Sequence, residues 1–448
     1  MPLLTRDEAK AIADRALAAS KADAVRIVIS SSWSGNTRFS GNEITTSGGV
    51  NDTAVSVTST IGKRQASATT NLLDEAGLAR AVEQSERLAR LSPEDPELMP
   101  ELGPQTYAEV AGFSTSTAEL DAEKRAAAVK SVFDSVRATP AAPGVQPADL
   151  FVAGFLEATT GAQAIATSKG LFAYHRASDA SLSTTVRTPD GTGSGYFSRG
   201  ARDWADVNAA DIGARAARKA VASRNPQAIE PGMYTVVLEP QAVADLIPTL
   251  RGSFNARSAD EGRSPFSKTG GATKVGEKIA DERVTIFSDP TDAELLSQPF
   301  DGEGMPIKRT VWIANGMLQN LAYSRFWAQQ KGAQTAGFGG GLKMMGGTQS
   351  VDELVAGTER GVLVTRFWYI RFLDPRTVML TGLTRDGTFL IENGQITRPL
   401  KNFRFNDSPL LMLNRIDEVG RSERVASGLV MPSLRVRDFN FSSLSDAV

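Results

Sequence analysis

The sequence predicts an α+β protein, with a mixed α/β N-terminal domain over residues 1–230 and a β-rich, barrel-like C-terminal domain over residues 231–448. Three observations carry that expectation. The first half mixes segments of helical period with β-branched alternating runs, and Pro-rich linkers near 92–104 and 139–148 interrupt it. The second half is richer in Gly and turn dipeptides, with strands at short intervals, as in an antiparallel barrel or sandwich. Finally, 448 residues exceed what a single core usually organises, so two or more domains are expected.

In the first half, Thr5 and Glu8 form a capping box that opens a helix to about Ala19, with Ile12 and Leu17 as anchors. Strands are expected at Ala24–Ser30, Thr37–Ser40, Thr53–Ile61 and Gln65–Thr69, and a second helix at about Asp74–Leu91 with Leu78, Ala81, Val82 and Leu88 on one face. The segment 92–104 has four prolines and no period, which predicts a linker over the surface. A helix at about Thr117–Arg137 follows, then a break at Pro140–Pro147. Short strands between about 150 and 197 should turn at Thr160-Gly161, Lys169-Gly170 and Asp190-Gly191, before a helix at about Val207–Ser223 and a domain boundary at Pro231-Gly232.

In the second half, Tyr234–Leu238 is a strand, and Ser258–Gly276, rich in Gly, Ser and Thr, is expected to be a mobile loop. Asp386-Gly387 and Asn393-Gly394 are both dipeptides of type I′ turns, with the β-formers Phe389, Leu390 and Ile391 between them, so 385–399 is expected to form a hairpin. Arg366 to Leu373 interleaves aromatic and basic residues. Its alternation predicts a core strand with one packed face, ended by Asp374-Pro375.

Composition removes several function classes. A net charge of −2 and a pI near 5.8 leave no basic field for a polyanion, so nucleic-acid binding is not expected. No run of eighteen apolar residues occurs, and the first residues lack the pattern of a signal peptide; a soluble, cytoplasmic protein with no membrane association is the expectation. There is one His and no Cys, the two residue types from which zinc sites are mainly built. The chain is therefore expected to carry no cofactor of its own.

Five segments in order carry a resemblance: Phe300 to Gly304 (FDGEG), Ile313 to Leu318 (IANGML), Gly337 to Gly341 (GFGGG), Gly361 to Thr365 (GVLVT) and the 385–399 stretch. Together they resemble the C-terminal half of the TldD/TldE (PmbA) family of bacterial and archaeal peptidase subunits, over about residues 230–448, and the first half resembles it in outline. The TldD branch carries a zinc motif, His-Glu-x-x-x-His, on a helix after a strand, with a further Cys ligand near the C-terminus. At the corresponding place this chain has Pro240, Gln241 and Asp245. Proline and glutamine supply neither imidazole nor general base. The resemblance thus implies a TldE/PmbA-like, non-catalytic subunit of a cytoplasmic metalloprotease that trims unfolded or leader peptides, with the zinc in a TldD-like partner subunit. The family's older description as a modulator of DNA gyrase does not fit direct DNA binding by this charge distribution.

Two alternatives remain at this level. One is a self-sufficient hydrolase using a carboxylate-bound metal or a serine, with Asp245, the close pair Asp301 and Glu303, or His175 as its chemistry; against it, Asp245 reads as a surface or capping aspartate. The other is a non-catalytic homodimeric peptide-binding or scaffold protein. Gly339, Gly340 and Gly341 form the candidate substrate-binding stretch, because a backbone without Cβ atoms allows an extended peptide to approach closely, set against glycines that only turn the chain. No phosphate-loop motif accompanies them.

Overall fold

The structure, a computed structural model, describes residues 3–296, 298–426 and 428–445. The first half comprises α1 (Arg6–Ala19), β1 (Ala24–Ser40), β2 (Glu43–Ile61), β3 (Arg64–Thr70), α2 (Glu75–Leu91), α3 (Thr115–Ala118), α4 (Ala122–Arg137), β4 (Phe151–Thr167), β5 (Phe172–Arg187), β6 (Ser194–Ala201) and α5 (Ala209–Ala222). The six strands form one antiparallel sheet in the order β3-β2-β1-β4-β5-β6. The expected capping box is present: Thr5 Oγ1 accepts the Glu8 N–H while the Glu8 carboxylate accepts the Thr5 N–H at 2.8 Å.

Alternation decides what each face of this sheet touches. Ile27, Ile29, Val57 and Ala164 point to α1 and α2, and Leu156, Ala158 and Leu182 to α4 and α5, so the helices share one face. The opposite face, which carries Val28, Ile165 and Ala173, packs against Phe300 of the second half. The strands expected at 24–30 and 37–40 are one, because the small polar residues between them are paired on both sides, with β2 and β4. Thr160-Gly161 likewise is not a turn; it pairs with Trp33 and Ser32 inside β4. The segment 92–104 has no regular structure, but it is a strap rather than a free linker. Glu101 is buried beside Arg26, Leu102 joins the Phe300 cluster, Glu97 pairs with Arg257 at 2.8 Å, and Pro100 accepts a hydrogen bond from Arg325.

The second half adds β7 (Gly232–Leu238), α6 (Pro240–Leu246), β8 (Ile286–Ser288), β9 (Thr310–Ala314), β10 (Met317–Leu318), β11 (Leu342–Met344), β12 (Arg360–Asp374), β13 (Met379–Glu392), β14 (Gln395–Pro399), β15 (Asn402–Asp407), β16 (Ile416–Ala426) and β17 (Leu429–Ser445). These strands form a second, eleven-stranded sheet in which β17, β15, β13, β12 and β7 close on themselves through the β7–β17 pairing. A sheet closed in this way leaves no edge along the closing strands. Aromatic side chains fill it, among them Phe367 and Phe405 at 4.7 Å and Phe403 and Phe441 at 4.6 Å between ring centres.

Three expectations are corrected here. Asn393-Gly394, with φ of 51° and 74°, makes the turn between β13 and β14, but Asp386-Gly387 lies inside β13. These two residues oppose Thr365 alone, forming a bulge, and Thr365 Oγ1 lies within 3.3 Å of three of that bulge's carbonyl oxygens. The segment 258–276 begins in the end of a short helix, Ala256–Asp260, and is otherwise irregular but anchored: Phe266 is fully buried, and the Lys274 N–H bonds back to its carbonyl. The aromatic run is core only as far as Phe367. The β7 pairing already stops at Val364, and beyond Phe367 the side chains of Trp368, Tyr369, Phe372 and Leu373 are exposed. Among the described residues no helix is long and apolar enough to cross a membrane.

One glycine shows how tightly the first layer is assembled. A Cβ at Gly195 would stand 2.1 Å from the Ala216 carbonyl oxygen and 2.4 Å from Ala220 N, both in the α5 backbone. Since a helix backbone cannot rotate aside, Gly195→Ala is expected to cost about 1–3 kcal/mol or more of stability, read as a lower denaturant midpoint at unchanged slope.

Candidate functional site

The site grows from β6, an edge strand of the first sheet. Its alternate residues Ser194, Tyr196 and Ser198 share the face turned to the second half, and each meets a partner there. Ser194 Oγ donates to the Asp386 carboxylate at 2.5 Å, the Arg366 guanidinium lies 3.8 Å from the Tyr196 ring centre, and Ser198 Oγ donates to Gln241 Oε1 at 3.0 Å. Arg366 also pairs with Asp386 at 3.4 Å. The Asp386-Gly387 bulge is what aims this carboxylate across the seam.

Helix α6 follows β7 after a single residue, Glu239, which stands at the N-cap position without a side-chain capping bond, and Pro240 occupies its first turn, where its missing N–H costs nothing. Gln241 Nε2 donates to Asp245 Oδ1 at 2.8 Å, and the Phe367 N–H donates to Asp245 Oδ2 at 2.8 Å. Asp245 is therefore not the surface or capping aspartate expected; it is only partly exposed and staples α6 to β12. Burial pushes its carboxyl up to about 6, opposed by the Phe367 N–H, the Arg366 charge and Gln241.

Outside this seam a cleft of about 640 Å³ opens, lined by Tyr196, Ser198, Pro240 and Gln241 on one side and by Gln349 and Glu423 on the other. Its charges are largely paired: Lys219 with Glu239 at 2.5 Å, Arg215 with Asp211 at 3.1 Å, and Arg199 with Glu423. Asp245 does not line it. A carboxylate with a raised pKa is a candidate base only if it reaches a reacting proton, and both Asp245 oxygens are engaged by protein donors.

The remaining candidates are not brought to this cleft. His175 lies on β5 and lines a separate groove of about 400 Å³, together with Ser30, Ser32, Gln163, Gly339 and Gly340. Asp301 accepts the N–H groups of Glu303 and Met305 at 2.9 Å, and Glu303 pairs with Arg325 at 2.8 Å, so these acids build a turn and an ion pair. Gly339 and Gly340 have φ of 58° and 102°, a conformation that favours glycine regardless of any ligand, and Gly341 is buried. Phe338 stacks on Trp312 at 4.0 Å and anchors this loop.

Zinc does not fit the residues present at 240, 241 and 245. Proline offers no ligand, the glutamine amide is shared between Ser198 and Asp245, and Asp245 has no free oxygen. Among the described residues no three His, Cys, Asp or Glu side chains form a group able to hold a metal ion. Sequence reasoning missed Ser194, Tyr196 and Ser198, whose alternation was visible, and Arg366, which was absorbed into the aromatic run.

Family models for the PmbA/TldA metallopeptidase match in three consecutive parts: domain 1 over residues 25–89, the central domain over 117–224 and the C-terminal domain over 231–443. A metalloprotease of Methanothermobacter thermautotrophicus is 29% identical over 235 residues, 49% of this chain and 49% of that protein. The metalloprotease PmbA of an Escherichia coli strain is 23% identical over 236 residues, half of each chain. The chain thus aligns with about half the length of these curated relatives. In three dimensions TldE from Thermococcus kodakarensis superimposes with a TM-score of 0.85 at 18% identity, covering 98% of this chain and 100% of that one, a likeness of fold. With matching models distributed over both sheets in their native order, this chain belongs to the PmbA/TldD metallopeptidase family.

Proposed function

We propose that this chain is the TldE/PmbA-like, metal-free subunit of a cytoplasmic two-subunit metallopeptidase that acts on unfolded or leader peptides, and that a TldD-like partner supplies zinc and general base. The observation that carries this reading is the state of α6. Its three positions offer no imidazole, Asp245 is locked on the Phe367 amide, and the whole chain contains one His and no Cys. What remains beside it is a cleft with paired charges, suited to forming a wall and to holding a chain rather than cutting it.

Reconstitution tests the proposal. Purified alone, the chain is expected to hold far less than one equivalent of zinc and to leave unstructured peptides intact, whereas mixing with a TldD-like protein should give a complex and chelator-sensitive cleavage. Turnover by the isolated chain that disappears in Asp245→Ala or His175→Ala would instead establish a self-sufficient hydrolase. Failure to associate with any TldD-like protein, with a stable homodimer in its place, would leave the scaffold reading.

A further inference from the structure

The helical run that begins with α6 continues through residues 247–254, and beyond Asp245 its one charged residue is Arg251. Arg251 is partly buried, and burial lowers its pKa with no acidic group acting in the other direction. Among the described residues no carboxylate pairs with it, unlike Arg199, Arg325 or Arg366, which each have one. Its Nε is buried without a hydrogen-bond partner, its Nη2 donates to the Gly340 carbonyl at 2.6 Å, and its guanidinium lies 5.5 Å from the Phe338 ring centre. A partly buried guanidinium with no counter-charge gains from an incoming carboxylate, which its planar fork can meet bidentately.

The geometry points to Arg251 as a recognition residue for a carboxylate of the bound peptide, either its C-terminal α-carboxylate or an acidic side chain. The Gly340 carbonyl and the Phe338 ring orient the fork, and the groove lined by Gly339, Gly340 and Gln163 provides the adjoining path for an extended chain. This deepens the peptide-handling role proposed above and rests on it. It also gives the glycine loop a part in binding: Gly340 positions the guanidinium through its carbonyl.

Fluorescence anisotropy on the full chain, alone and with its partner, tests this with three labelled unstructured peptides: neutral with a free C-terminus, neutral with a C-terminal amide, and amidated with one internal Glu. The free-acid or the Glu peptide, whichever source of carboxylate is used, should bind about tenfold or more tightly than the neutral amide, with the difference reduced by salt. Arg251→Gln keeps a donor for Gly340 but no charge, and should erase that difference; Arg251→Lys keeps the charge without the planar fork and should retain only a reduced part of it. If Gln and Lys weaken all three peptides alike, Arg251 only pins the loop and the proposal is overturned. Equal binding of the three peptides by the unmodified protein, or no binding by the chain with or without its partner, overturns it as well. Loss of the partner complex would bear on the subunit reading instead, since the anisotropy is also measured on the chain alone.

Discussion

Arg366→Met is expected to lower the stability of the chain by about 3–5 kcal/mol, the usual cost of removing one partner from a buried ion pair. The change leaves the Asp386 carboxylate, 4% exposed, without its closer cation; Ser194 would still donate to it, while Arg385 stands farther off at 3.9 Å. Tyr196 would lose the guanidinium stacked on its ring, and Asp245 a favourable charge. Because these contacts join the two sheets, the loss should be visible as a reduced midpoint in chemical denaturation. The double variant Arg366→Met with Asp386→Asn removes both charges and should recover a substantial part of the loss. If the single variant costs less than about 1 kcal/mol, the pair is solvated in solution and does not form the seam described here.

The second large effect is a dependence on pH. Burial raises the Asp245 carboxyl to about 6 from an ordinary 3.8, so the folded state binds a proton more tightly than the unfolded chain. The sign follows from linkage: the stability contributed by the protonated form is fully present below about pH 4 and is lost as the pH rises through about 6. Two units of displacement correspond to about 3 kcal/mol at most. Asp245→Asn is expected to flatten this part of the profile and to be more stable than the parent at pH 7 to 8. Its side-chain oxygen can accept the Phe367 N–H, and a turned Gln241 amide can accept from its NH2 while donating to Ser198. Denaturation of both proteins at pH 4.5 and 7.5 decides the matter, because groups common to both, such as the buried Glu101 and Asp407, cancel in the difference. Parallel profiles would show that Asp245 is not desolvated as the structure has it.

Much of the architecture was legible because it follows from local chemistry. Thr5 and Glu8 cap their helix as their spacing requires, and Asn393-Gly394 turns because both residues tolerate positive φ. The Asp386-Gly387 dipeptide has the same tolerance and used it differently: Thr365 binds the carbonyls around it and holds a bulge within the strand. Strand 366–374 changes character after Phe367, the last of its residues to lie in the core, which no pattern within the run encodes.

The sequence by itself determined the family, the mixed α/β first half, the barrel-like second half and the shortage of zinc ligands, since residue types, turn chemistry and alternation act over a few positions. Only the tertiary structure decided what the candidates do. It turned Asp245 inward onto a backbone amide, separated His175 from it, bound Asp301 and Glu303 into a turn and an ion pair, and left Arg251 without an acidic partner among the described residues. Those outcomes depend on which distant strands close the barrel and which face of β6 meets it. Burial and pairing of a charge are properties of that assembled neighbourhood, not of the residue's place in the chain.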